Sequence, residues 1–80
     1  MQLQLEHLKI GSKGRIVHVS RGADKAYRHK LIAMGLLPGT EFTVSSIAPF
    51  GDPIEIIIRG FCLSLRKKEA SLLQIEEVLP

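Results

Sequence analysis

Three features of this 80-residue chain predict a mainly β fold: a small closed or half-closed barrel of about five short strands, with one short helix after the first strand and a helical turn before the last. The first is a pair of alternating apolar runs, Ile54/Ile56/Ile58 and Phe61/Leu63/Leu65, separated by Arg59-Gly60. The second is a single helical face, Tyr27/Leu31/Met34 at i, i+4 and i+7, lying between β-rich segments. The third is the regular punctuation by Gly and Pro, with a shift of apolar phase after Val44 that would bend the sheet. A flat sheet under one helix is the alternative arrangement. The length allows one domain, residues 1–80, because a shorter piece would bury too little apolar surface to offset chain entropy.

Residues 5–10 end at Gly11-Ser12-Lys13-Gly14, which reads as a turn. Arg15-Ile16-Val17-His18-Val19 is short and rich in β-branched residues, so it reads as a strand. Asp24 is placed as an N-cap, its carboxylate accepting from the free amides of a helix over residues 25–34. Gly35 is expected in the left-handed position that ends this helix, with Leu36 making the apolar contact that accompanies such a cap. Pro38-Gly39 reads as the centre of a type II turn, and Thr40-Glu41-Phe42-Thr43-Val44 as the next strand. Ile47 is out of step with Val44, so a bulge is expected near Ser45-Ser46. After a loop over residues 48–53, a two-residue hairpin pairs Ile58 with Phe61, Ile56 with Leu63 and Ile54 with Leu65. That register puts all six side chains on the core face and Glu55, Ile57, Cys62 and Ser64 on the other. Residues 66–71 read as a helical or 3₁₀ turn, and residues 72–78 as a last strand with Leu73 and Ile75 inward.

Composition narrows the function classes. The chain is 45% hydrophobic, too apolar for disorder, yet no apolar run approaches the roughly 20 residues that span a bilayer. The first residues do not form a signal peptide, and the single cysteine, Cys62, has no internal partner, which together point to a reducing, cytoplasmic setting. The net charge of +3 is unevenly placed. Arg21, Lys25, Arg28 and Lys30 against Asp24 make one basic patch, and Arg66-Lys67-Lys68 a second. The remaining cations, Lys9, Lys13, Arg15 and Arg59, face seven carboxylates. Two patches on a mildly acidic body suit an acidic protein surface or a membrane-proximal site as well as phosphate. Phe42, Phe50, Phe61 and Tyr27 offer few rings for stacking bases, so no nucleic-acid partner is expected.

Catalytic and metal signals are weak. His7, His18 and His29 fall on different elements, and none has the close ligand spacing of a structural zinc site. Gly11-Ser12-Lys13-Gly14 lacks the frame of a phosphate loop and the helix that would follow it. No serine sits in a nucleophile elbow and no carboxylate pair marks a pocket, so no enzyme is expected. The basic helix face around Lys25, Arg28 and His29 reads either as a solvated face or as an electrostatic docking surface. In the loop Ala48-Pro49-Phe50-Gly51-Asp52-Pro53, Phe50 either folds back to cap the barrel or meets a partner. The structural reading is favoured, because barrel corners need rigid loops, and Asp52 can accept from backbone amides to hold one.

The segments Leu31-Ile32-Ala33-Met34-Gly35-Leu36-Leu37-Pro38-Gly39, Ala48-Pro49-Phe50-Gly51-Asp52-Pro53-Ile54, and Arg59-Gly60 with Leu63-Ser64-Leu65-Arg66-Lys67-Lys68-Glu69-Ala70 together resemble ferrous iron transport protein A, FeoA. The likeness covers nearly the whole chain in order; Phe50 stands where the family commonly has leucine. It implies an SH3-like barrel and a cytoplasmic accessory of bacterial Fe²⁺ uptake, peripheral at the inner face of the membrane without inserting. The implied partner is FeoB, a permease with a cytoplasmic GTP-binding domain. Fe²⁺ would be the ion the system handles, with no cofactor or metal held tightly by the chain, which would be a monomer or weak homo-oligomer. The expected docking surface comprises Leu36, Leu37, Pro38 and Gly39 in the turn, Pro49, Phe50, Gly51 and Asp52 in the loop, and Lys25 and Arg28 on the helix. An iron-binding chaperone and a basic nucleic-acid-binding barrel are the rival readings.

Overall fold

Each strand after the first runs antiparallel to an earlier one, and the five strands form one sheet in the order β4-β3-β2-β1-β5. The computed structural model describes residues 4–20 and 25–79. A 3₁₀ turn over Leu5–His7 precedes β1 (Lys13–Val19), α1 (Lys25–Ala33), β2 (Glu41–Ile47), β3 (Ile54–Ile58), β4 (Phe61–Leu65), α2 (Lys67–Ala70) and β5 (Leu73–Val78). The strand order leaves β4 and β5 at its two ends, and α2 is the segment that links them along the chain. No helix among the described residues is long and apolar enough to cross a membrane.

The tight turns behave as their residues dictate. The amide of Leu36 donates to the Leu31 carbonyl at 3.1 Å and that of Gly35 to Ile32 at 3.0 Å. With Gly35 at φ 94°, this is the paired Schellman pattern, and Leu31 and Leu36 supply its apolar contact inside the core. The Thr40 amide donates to the Leu37 carbonyl at 3.0 Å across Pro38-Gly39, closing the expected turn. At the hairpin, Arg59 and Gly60 both take positive φ, 52° and 86°, the type I′ geometry whose twist matches the strands it joins. Ile58 pairs with Phe61, Ile56 with Leu63 and Ile54 with Leu65, as the alternation predicts. The register of β2 against β3 shifts between Val44 and Ser46, which is the expected bulge.

Four expectations need revision or fall outside the described residues. The first strand starts at Lys13 rather than Arg15, so the glycine-rich turn is shorter than the sequence suggests. Gly14 is strand because it pairs with Phe42 on β2, whose ring occupies the space a side chain would need: a Cβ on Gly14 would lie 2.6 Å from Phe42 Cζ. Phe61 is 48% exposed although its register partner Ile58 is buried. It sits beside the turn on β4, an end strand covered on one side only. The helix ends at Ala33, one residue earlier than expected, with Met34 in its cap. Asp24, expected to cap α1, lies outside the described residues.

The core joins Leu5 and Leu8 from the N-terminal segment, Ile16 and Val19 from β1, and Leu31 and Leu36 from the helix and its cap. To these it adds Phe42 and Val44 from β2, the inward isoleucines of β3, Leu65, Ala70, and Leu73 and Ile75 from β5. Because Phe42 is buried on all sides by this cluster, its ring has nowhere to retreat. Gly14→Ala is therefore expected to destabilise the fold by about 1–3 kcal/mol in urea denaturation, the usual cost of overpacking. A wild-type midpoint in that variant would contradict the packing described.

Candidate functional site

Glu69 is the one buried charged side chain among the described residues, with 2% of its surface exposed. It lies on α2, and its two oxygens serve two elements. Oε1 accepts from the Arg66 amide at 2.9 Å, as an N3 glutamate does when it reaches back to the first residue of its own helix. Oε2 pairs with Lys30 Nζ of α1 at 2.6 Å. Burial pushes the carboxyl up, but the Lys30 ammonium, the Arg66 amide and the charges of both cations outweigh it and hold the group below its ordinary value. The pair therefore fixes α1 against α2. In doing so it brings the two basic segments of the sequence onto neighbouring helices, with Lys25 and His29 exposed on α1 and Arg66, Lys67 and Lys68 exposed beside them.

The loop over residues 48–53 is braced at three points. The Ala48 amide donates to the Pro53 carbonyl at 3.1 Å and the Gly51 amide to the Ala48 carbonyl at 2.8 Å. Asp52 Oδ1 accepts from the Lys67 amide at 3.1 Å. Arg66 has no acceptor with which to cap α2, so Asp52 supplies it from the loop. The carboxylate thus holds an amide as expected, but an amide of the helix rather than of its own turn. Phe50 does not fold back: it is 96% exposed, since the braces that fix the loop carry its tip away from the core.

The residues expected to form one docking surface divide into two groups. Leu36 is 0% exposed, committed to the helix cap, so its side chain is not on any surface. Leu37 is 41% exposed and Pro38 and Gly39 are exposed, in a turn tied to β1 by the Gly39 amide donating to Ile16 at 2.7 Å. This turn precedes β2 and the loop with Pro49, Phe50, Gly51 and Asp52 follows it. The seven residues of β2 separate them by roughly 20 Å of extended chain. Lys25 is exposed on the outward side of α1, and Arg28 is half-buried. Arg28 lies two residues before Lys30, about 200° round the helix, and so on the flank away from α2. The structure therefore braces Phe50 and its loop against α2, and helical rotation puts Arg28 and Lys25 on the flank of α1 away from Lys30.

Lys30 and Glu69 form a structural pair that sequence reasoning missed; a lysine and a glutamate on short basic stretches read as surface charge. A second cluster also escaped it. Arg15 on β1 bonds Glu41 on β2 at 3.1 Å and Glu76 on β5 at 2.6 Å, a cross-strand charge ladder that raises the guanidinium pKa further. A groove of about 600 Å³ lies between the Gly11 turn and the end of β5, lined among others by Lys9, Ile10, Lys13, Glu77 and Leu79. Among the described residues no three His, Cys, Asp or Glu side chains are placed to hold a metal ion. The His7 ring accepts the Gln4 amide through Nδ1 at 3.1 Å, a local brace of the N-terminal turn.

Five antiparallel strands with two short helices make a small SH3-like domain. The FeoA domain model matches residues 3–77, and the chain belongs to the FeoA family. It is 32% identical over 75 residues to an Fe(2+) transport protein A/Fe(2+) transporter FeoB fusion protein of Porphyromonas gingivalis, a match that covers 92% of this chain and 8% of that protein. The chain thus spans a small fraction of that relative's length. Among solved structures it is similar to a FeoA-like protein from Clostridium acetobutylicum, at 35% identity and a TM-score of 0.86, covering 99% of this chain and 90% of that one. The IdeR protein of T. acidophilum shares the fold alone, at 18% identity and a TM-score of 0.84 over 96% of this chain and 34% of that one.

Because the Glu69 carboxyl is held below its ordinary value in the fold, it contributes stability that is present above the unfolded-state pKa and lost as pH falls through the folded one. Glu69→Gln should therefore be less stable than wild type near neutral pH, by about 1–3 kcal/mol. The gap should narrow only at acid pH below the ordinary carboxylate range, as the wild-type carboxyl becomes protonated in the fold. Denaturation curves at several pH values check this; a gap that stays constant would contradict the ion pair.

Proposed function

We propose that this chain is an accessory of ferrous iron uptake that works by docking on the cytoplasmic part of a FeoB-type permease. The observation that supports it most is the relative in which the corresponding domain and the transporter form one polypeptide. A covalent link keeps two modules at high effective concentration. Docking requires a surface on this domain. The far flank of α1 and the turn after it, with Lys25, Arg28, Leu37, Pro38 and Gly39, provide one. It combines an exposed leucine and a rigid proline turn with two cations, an apolar centre and a polar rim. The chain carries no phosphate loop, so nucleotide chemistry and ion passage belong to the permease, and the role of this domain is binding.

Co-purification with membranes from cells expressing FeoB, together with Fe²⁺ uptake, tests the reading. Leu37→Asp and the pair Lys25→Glu/Arg28→Glu should each weaken retention by about tenfold or more and lower uptake, while melting stays near wild type. Unchanged retention and uptake in folded variants would contradict docking through this surface. Phe50→Ala should leave retention on detergent-solubilised FeoB intact.

A further inference from the structure

We infer that the face formed by the loop over residues 48–53 and by α2 binds an anionic lipid surface. Phe50 would enter the headgroup region, and Arg66, Lys67 and Lys68 would pair with lipid phosphates. This inference does not depend on contact with FeoB.

Phe50 is nearly fully exposed, at the tip of a loop that the Ala48, Gly51 and Asp52 hydrogen bonds already hold in one shape. An apolar ring fixed outward loses little conformational freedom when it is buried in a second phase. The Asp52–Lys67 hydrogen bond sets this tip beside three consecutive exposed cations. None of the three side chains forms an ion pair among the described residues. Of the nearby acids Glu69 is neutralised by Lys30, while Asp52, which accepts from the Lys67 amide, and Glu6, in the crevice shared by Gly51 and Lys67, keep their charge.

Arg66, Lys67 and Lys68 outnumber the two free acids of this face, Asp52 and Glu6, while Lys30 and Glu69 neutralise each other. Lys25 and Arg28 lie on the far flank of α1, and elsewhere among the described residues Lys9, Lys13, Arg15 and Arg59 are balanced by Glu41, Glu55, Glu76 and Glu77. A locally cationic face is drawn toward a negative plane. Among the described residues Phe50 is the one large exposed apolar group of this face, since Ile10, Leu37, Ile57, Phe61 and Leu79 all lie on other elements. One rigid ring among flexible cations requires no shape complementarity, which is the condition a fluid headgroup layer meets. Binding of this kind is weak, reversible and screened by salt.

The chain has no tryptophan, so Phe50→Trp creates a single reporter at the tip. Its emission should shift to the blue on vesicles of mixed phosphatidylcholine and phosphatidylglycerol and stay unshifted on phosphatidylcholine alone. Wild type should co-sediment with the anionic vesicles, and Lys67→Glu/Lys68→Glu should weaken this by about tenfold or more, as raised salt should. Phe50→Ser should weaken it as well, with circular dichroism melting unchanged in both variants. No blue shift, or equal binding to neutral vesicles, would overturn the inference. So would a result in which vesicles are ignored but these same substitutions abolish retention on detergent-solubilised FeoB, which would assign the face to a protein.

Discussion

A single buried carboxylate sets the relation between the two helices. Glu69 sits where α2 links the two ends of the sheet, and its partner Lys30 comes from the helix inserted between β1 and β2. A buried charge without partners is costly, so Glu69 holds α1 in place as much as Lys30 holds Glu69. The second oxygen is committed to the Arg66 amide, which orders the first turn of α2 and leaves Arg66 no freedom to drift from the helix start. Asp52 adds a further tie, from the β2–β3 loop to the Lys67 amide, so the loop is linked to α2 and α2 to the Lys30 side of α1. The cations of the two helices are carried by elements whose positions this network determines.

Local patterns with strict geometry were legible in the sequence. Period-two alternation with a two-residue turn leaves one register for β3 and β4, and the slip in phase at Ile47 can only be absorbed by a bulge. Gly35 and Leu36 follow from the needs of a helix end. What escaped was set by residues distant in the chain. Gly14 reads as turn until Phe42 is placed over it, and Phe61 reads as core until β4 is known to be an end strand. Glu69, in a Lys-Lys-Glu-Ala run, looks like solvated charge; its burial depends on α1 arriving above it. The candidate site was legible as a set of residues but not as a geometry. The separation of the Pro38-Gly39 turn from the Phe50 loop follows from the strand between them, and the separation of Arg28 from Lys30 follows from helical rotation. Both required the elements to be treated as objects of known length and phase.

Family membership and fold carry different weight here. The SH3-like barrel also occurs in the IdeR protein of T. acidophilum at low identity, so the barrel by itself specifies no function. The proposed contacts rest instead on two positions, Leu37 in the turn after α1 and Phe50 at the tip of the loop braced to α2. A small accessory held at a membrane transporter would meet two surfaces at once, the transporter and the lipid around it. Two weak contacts engaged together hold more firmly than either alone when their geometry allows both.

Site-specific photo-crosslinking in cells expressing FeoB tests this division most directly. A photoreactive residue in place of Leu37 should capture FeoB protein, and one in place of Phe50 should capture phospholipid, each within a chain that still supports Fe²⁺ uptake. Capture of FeoB protein from both positions, or of phospholipid from neither, would contradict the two-face account.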